Sequence, residues 1–100
     1  MSAAPFAAPD ALIALGGNVI SRPGGEMTLE AQFAQTRAAT DEIAGLIASG
    51  RLGRVALTHG NGPQIGFVLQ RSELAAPRLH RLSVDVCVAD TQGGMGYMIQ

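Results

Sequence analysis

Two glycine-rich turns hold the residues of this sequence best suited to chemistry: Leu15-Gly16-Gly17-Asn18 and Thr58-His59-Gly60-Asn61-Gly62-Pro63-Gln64. Each follows directly on a short apolar run. Glycine has no Cβ, so such turns let main-chain N–H groups approach an anion closely and permit positive φ. Pro63 suits the first turn of a helix, where its missing N–H would be unpaired anyway. A helix N-terminus in turn offers unpaired donors and partial positive charge to an anion. The pattern predicts one phosphate-type site assembled from both turns, with Gly16, Gly17, Asn18, Gly60, Asn61 and Gly62 as its binding residues. Asn18 and Asn61 would add side-chain amide donors, and Gly62 is expected at positive φ with no room for a branched side chain.

Other phosphate-binding motifs fit less well. Gly60-Asn61-Gly62 with Gly66 approximates a dinucleotide fingerprint, but that motif belongs after the first strand of its fold and wants an acid at the end of the next strand. The nucleoside-triphosphatase loop needs a Gly-Lys-Ser/Thr ending. All seven basic residues here are arginines, so that loop is excluded. His59 has two readings: a general base or oxyanion ligand, or a strand-end side chain donating to a nearby carbonyl. Two histidines and one cysteine at unrelated spacings do not make a metal site. Gln92-Gly93-Gly94-Met95-Gly96-Tyr97 places three glycines in a helical pattern, each costing about 0.8–1 kcal/mol relative to alanine. Either a ligand or backbone approaches closely there, or the helix kinks or ends early.

The elements that must position these turns are legible from pattern. Ala11 to Leu15 reads as a buried strand. From Thr28 to Ser49, Leu29, Phe33, Thr36, Thr40, Ile43 and Ile47 recur in steps of four and three. That is one face of an amphipathic helix, with Thr28 as N-cap and Gly50 just past its end. Val55 to Thr58 is a second strand, giving a βαβ unit with parallel strands. A further helix runs from Pro63 to about Leu74 and is broken at Ala75-Ala76-Pro77. Ser83 caps a last helix whose stripe is Val84, Val88, Thr91, Met95 and Met98, with Cys87 beside it as a packing residue. Ser21 to Gly25 is loop. Met1 to Asp10, with two prolines, is expected to be a flexible tail, and residues 11–100 form one partial domain. Two strands are too little sheet to stand alone, so the sequence is expected to be a fragment truncated at its C-terminus or to be completed by another chain.

Composition narrows the function classes. The chain has 100 residues, 47% hydrophobic and 15% charged, with a formal net charge of −1. That fits a globular α/β interior and gives no basic surface for nucleic acid or membrane. The single cysteine agrees with a reducing cytoplasmic compartment, and no apolar run reaches the length of a membrane span.

Ala14-Leu15-Gly16-Gly17-Asn18, Thr58-His59-Gly60-Asn61-Gly62-Pro63-Gln64-Ile65-Gly66, Asp85-Val86-Cys87-Val88-Ala89 and Gln92-Gly93 through Gly96-Tyr97 together resemble the amino-terminal third of carbamate kinase, of the amino acid kinase superfamily. The resemblance runs from Ala11 to Gln100. It implies an α/β fold, a three-layer αβα sandwich around an open, mainly parallel sheet, working as a cytoplasmic homodimer. It also implies reversible phosphoryl transfer between ATP, with Mg2+, and carbamate, usually running from carbamoyl phosphate and ADP toward ATP in arginine breakdown. The amino-terminal half of such enzymes holds carbamate or carbamoyl phosphate and the other half holds the nucleotide. Many amino acid kinases carry a lysine where this chain has Ala14; in carbamate kinases lysines further along supply the charge. No catalytic residue is therefore expected before Gln100. His59, Gln92 and Gly93 would support the site from behind. Three residues depart from the pattern: Asp90 stands at a usually apolar position, Ser83 at a usual proline, and Gly94 where a larger side chain is typical. The rival expectation is a non-catalytic anion-binding or assembly module derived from the same fold.

Overall fold

The computed structural model describes residues 9–25 and 28–100. The expected tail lies mostly outside the described residues. Its last residue, Asp10, is anchored: its N–H donates to the Arg54 carbonyl at 2.8 Å and its carboxylate accepts the Arg54 N–H at 2.8 Å. The chain then runs β1 (Ala11–Leu15), α1 (Gly17–Ile20), α2 (Leu29–Ala48), β2 (Val55–His59), α3 (Gly62–Ala75) and α4 (Val84–Ile99).

The strands pair in parallel, in a register running from Ala11 opposite Val55 to Leu15 opposite His59. A parallel pair needs a long crossover, and α2 supplies it with 20 residues. Local chemistry fixes its ends. The Thr28 hydroxyl accepts the Ala31 N–H at 3.1 Å, and Gly50 closes the helix at φ +76°, where a Cβ would be strained. At the start of α4 the Ser83 hydroxyl bonds the Asp85 carboxylate rather than capping the backbone. That bond, followed by the Val86 N–H, holds the Asp85 carboxyl below its ordinary value. The result is a mixed α/β fold with a two-stranded parallel sheet, flat in outline at 54 × 39 × 15 Å.

Helix faces follow their sequence spacing only in part. On α2 the buried residues are Gln32, Thr36 and Ile43, whereas Leu29, Phe33 and Ile47 of the expected stripe are exposed. On α4 they are Cys87, Thr91 and Met95, with Val84 exposed. Periodicity marks which face is apolar; how much of it is covered depends on the neighbours, and among the described residues α2 packs mainly against α1 and α4. Phe33 finds one partner there, Tyr97, edge-on at 6.1 Å. The buried Thr36 and Thr91 hydroxyls donate within their own helices, Thr36 to the Gln32 carbonyl at 2.8 Å and Thr91 to the Cys87 carbonyl at 2.7 Å. Ile20, Thr36, Cys87 and Met95 are the most enclosed side chains. α4 runs unbroken through Gly93, Gly94 and Gly96, and a Cβ at any of the three would meet no atom within 4 Å. The helix neither kinks nor ends there, and among the described residues no other segment approaches those glycines closely.

Candidate functional site: two glycine turns at one sheet edge

Because Leu15 and His59 are register partners, both turns leave the sheet side by side at its C-terminal edge. Parallel α/β sheets characteristically bind ligands there. The Gly60 N–H donates to the Leu15 carbonyl at 2.9 Å and knits the turns together. A Cβ on Gly17 would lie 2.7 Å from Pro63 Cδ and 3.4 Å from the Gly62 nitrogen, and a Cβ on Gly60 would lie 3.4 Å from the Gly17 nitrogen. Gly17 is therefore glycine because α3 begins against it.

The expectation for Gly62 needs correction. Among the described residues only Gly24 and Gly50 have positive φ, and a Cβ on Gly62 would meet no atom within 4 Å. Gly62 is the first residue of α3, where helical φ is negative. What it offers is open space in front of helix-start donors, not an unusual backbone. The first N–H groups of a helix lack intrahelical partners and carry partial positive charge. In α3 these belong to Gly62 and Gln64, since Pro63 has none.

The short helix α1 was not evident in the sequence. Gly17 and Asn18 open it, after Gly16 at φ −70° and ψ 151°, so the first turn also presents helix-start N–H groups. The Asn18 side chain is exposed and lines a cavity of about 380 Å³ with Ser21, Arg22, Pro23, Gly24, Gly25, Pro63 and Phe67. Arg22 is the one cation of that lining. Only its place in the loop after the first glycine turn hinted at this.

Asn61 is engaged elsewhere. Its side-chain amide donates to Thr91 Oγ1 at 2.8 Å and to the Val88 carbonyl at 3.3 Å. It thus straps the second turn to α4, and its main chain remains at the turn. Gln64 forms a second strap, its amide donating to Ser21 Oγ at 3.1 Å just beyond α1. Among the described residues two buried side-chain polar atoms are left without partners, His59 Nδ1 and Gln64 Oε1. Gln92 and Gly93 are exposed on α4, and among the described residues no hydrogen bond joins the Gln92 side chain to the turns. Among the same residues no group of three His, Cys, Asp or Glu side chains could hold a metal ion. Among the described residues no helix is long and apolar enough to cross a membrane.

This arrangement of one parallel strand pair with helices is part of an amino acid kinase fold. Its relatives within that fold are specific. The chain is 42% identical over 91 residues to the carbamate kinase-like protein YahI of Escherichia coli, and 40% identical over 92 residues to the carbamate kinase of Pyrococcus horikoshii. Each match covers 89% of this chain and 28% of the relative. A structure of Giardia lamblia carbamate kinase bound to AMP-PNP superposes with a TM-score of 0.79 at 33% identity, over 89% of this chain and 30% of that one. No protein-family model matches the sequence. The chain is homologous to the amino-terminal third of carbamate kinases, and it spans a little over a quarter of their length.

Proposed function

We propose that this chain provides the phosphoryl-holding part of a carbamate kinase site, the part that grips carbamoyl phosphate, or carbamate together with the transferring phosphoryl group. One observation carries this reading: two glycine turns in contact at one sheet edge, within a segment about 40% identical to carbamate kinases. The N–H groups at Gly17, Asn18, Gly62 and Gln64 would surround the phosphoryl oxygens, with the Asn18 amide and the Arg22 guanidinium completing the shell. In the direction that forms ATP, the bond between phosphorus and the carbamoyl oxygen breaks. Carbamate leaves with the electron pair, and phosphorus bonds to the terminal oxygen of ADP. Preorganised donors stabilise the charge that develops on the equatorial oxygens and hold attacking and leaving oxygens in line.

The described residues do not suit nucleotide or Mg2+, since the sequence has no lysine and no carboxylate cluster occurs among the described residues. In this reading ATP or ADP with Mg2+ is held by parts of the enzyme other than these hundred residues, and the complete protein is a cytoplasmic homodimer in arginine catabolism. By themselves the hundred residues are expected to form no ATP.

The test grafts residues 11–100 in place of the matching segment of the Pyrococcus horikoshii enzyme and measures ATP formed from carbamoyl phosphate and ADP. The chimera should turn over. Gly62→Val, filling the space before the α3 donors, should lower kcat by about 10²–10³, the cost of one preorganised donor. Cys87→Ala, which removes a buried sulfur from α4 and none of the donors of the turns, should leave it nearly unchanged. A folded chimera without turnover would support the non-catalytic anion-binding module instead. A valine variant retaining more than about a tenth of kcat would place the site elsewhere.

A further inference from the structure

Gln64 sits in the first turn of α3 and is only 7% exposed. The two ends of its amide meet different neighbours. Nε2 donates to Ser21 Oγ at 3.1 Å. Oε1 is packed toward Gly17, 3.3 Å from where a Cβ on that glycine would stand, and has no hydrogen-bond partner among the described residues. A buried acceptor left unsatisfied costs more than one ordinary hydrogen bond returns. By stability alone the position favours an apolar side chain of the same length, so the amide is kept for what its nitrogen holds.

What it holds is the root of a loop. Ile20, at the end of α1, is buried, and the Ser21 N–H donates to the Gly17 carbonyl at 3.0 Å. Beyond Ser21 the chain through Arg22, Pro23, Gly24 and Gly25 is exposed. Among the described residues its one hydrogen bond is internal, from the Gly25 N–H to the Arg22 carbonyl at 3.0 Å, and Gly24 turns at φ +75°. The Arg22 side chain has neither ion pair nor hydrogen bond among those residues. It borders the 380 Å³ cavity beside Pro63 and also a cleft of about 420 Å³ on the α2 side, whose wall includes Glu42. Only the path of the loop commits its guanidinium to the glycine turns, and the last side-chain tie on that path is the bond from Gln64.

We infer that Gln64 is a positioning residue: its side-chain amide clasps Ser21 and so fixes the next residue, Arg22, over the anion held by the two turns. The inference rests on the phosphoryl reading above, in which Arg22 completes the shell with a charge-assisted contact. Gln64→Met separates the two roles of this residue. It keeps the main-chain N–H at the start of α3 and the length of the side chain, and it removes the clasp together with the unsatisfied oxygen.

One arm of the test needs no turnover. In the 100-residue chain, the NMR order parameter of the Arg22 main-chain N–H should fall from the rigid range, about 0.85, to below about 0.6 in both Gln64→Met and Ser21→Ala. The melting temperature of Gln64→Met should hold or rise, which a purely structural role for the amide would not allow. The second arm uses the grafted enzyme, where Gln64→Met, Ser21→Ala and Arg22→Gln should each lower kcat/KM for carbamoyl phosphate about tenfold, equivalent to about 1.4 kcal/mol. Ser21→Thr, which retains the hydroxyl, should stay close to the parent. Because Gln64 acts through Arg22, the double variant Gln64→Met/Arg22→Gln should fall no further than Arg22→Gln alone. Independent action would instead multiply the losses to about a hundredfold. A multiplied loss, activity that falls only with the melting temperature, or an Arg22 N–H that stays rigid in both variants overturns the inference. Gly62→Val in the same enzyme reports on the phosphoryl reading by itself: if it lowers turnover while Gln64→Met does not, that reading stands and the clasp fails.

Discussion

Gly17→Ala tests whether the two turns are pressed together as described. The new methyl would stand 2.7 Å from Pro63 Cδ, 3.3 Å from Gln64 Oε1 and 3.4 Å from the Gly62 nitrogen. Carbon atoms in good contact sit at about 3.5–4.0 Å, so α3 must retreat by about 1 Å. The Gln64 amide could swing aside, but the Pro63 ring cannot, because it is fixed in the first turn of α3. Forcing an extra carbon into a packed site costs about 1–3 kcal/mol. At about 4–8 °C per kcal/mol for a chain of this size, the melting temperature should fall by roughly 10 °C, within outer bounds of about 4 and 24 °C. The functional loss should be larger in proportion, since a misplacement of about 1 Å can cost about 10²-fold in rate.

The control is Gly62→Ala, a neighbour in space with nothing within 4 Å of its Cβ. It should hold its melting temperature or gain up to about 1 kcal/mol, because alanine restricts the unfolded chain. Thermal unfolding by circular dichroism compares the two variants with the parent, and turnover of the grafted enzyme supplies the second readout. If Gly17→Ala melts within about 2 °C of the parent, less than the smallest shift its crowding implies, the turns are not in contact. The shared-edge site would then fail with them.

Other outcomes follow from particular contacts. Asn61→Ala removes the bonds to Val88 and Thr91 and should lower stability by about 1–2 kcal/mol; an unchanged denaturant midpoint would show that the strap is idle. Cys87 has no exposed surface, so a thiol-specific reagent should label it only at denaturant concentrations that unfold the chain, and rapid labelling in buffer would contradict the packing of α4. Asp85 has a carboxyl held below its ordinary value by Ser83 and Val86. Its contribution to stability is therefore present above the unfolded value, near pH 4, and is lost as pH falls through the lower folded one. Asp85→Asn should flatten that acid limb of the stability profile, and a variant whose profile overlays the parent's would count against the bond to Ser83.

The parts of this fold that were legible in the sequence are those set by local rules. Ala11–Leu15 is a strand because five apolar residues bounded by two glycines are too few for a helix. Thr28 and Gly50 bound α2 because one accepts an N–H and the other adopts a φ that side chains resist. The choice of both glycine turns rests on the same kind of rule, and the structure brings those turns together at one sheet edge. What local rules could not supply was who packs against whom. The spacing of Leu29, Phe33 and Ile47 identified a face of α2 but not the extent to which neighbours cover it. Nor could spacing show that Asn61, in the middle of a ligand-like motif, turns its amide toward α4.

The same limit explains the error at Gly62. A glycine in a turn can be required by its own φ, by something pressing on it, or by something that must come and go in front of it. Sequence shows the glycine and not which of the three applies. In this chain the three cases separate cleanly: Gly50 is required by φ, Gly17 by the helix against it, and Gly62 by neither. An alanine should therefore be strained at Gly50, crowded at Gly17 and tolerated by the fold at Gly62. If Gly62 is needed for function, the need must come from a ligand in the space before α3. A Gly62→Ala variant that keeps its stability and loses turnover would locate the phosphoryl group there, because nothing in the fold itself asks for glycine at that residue.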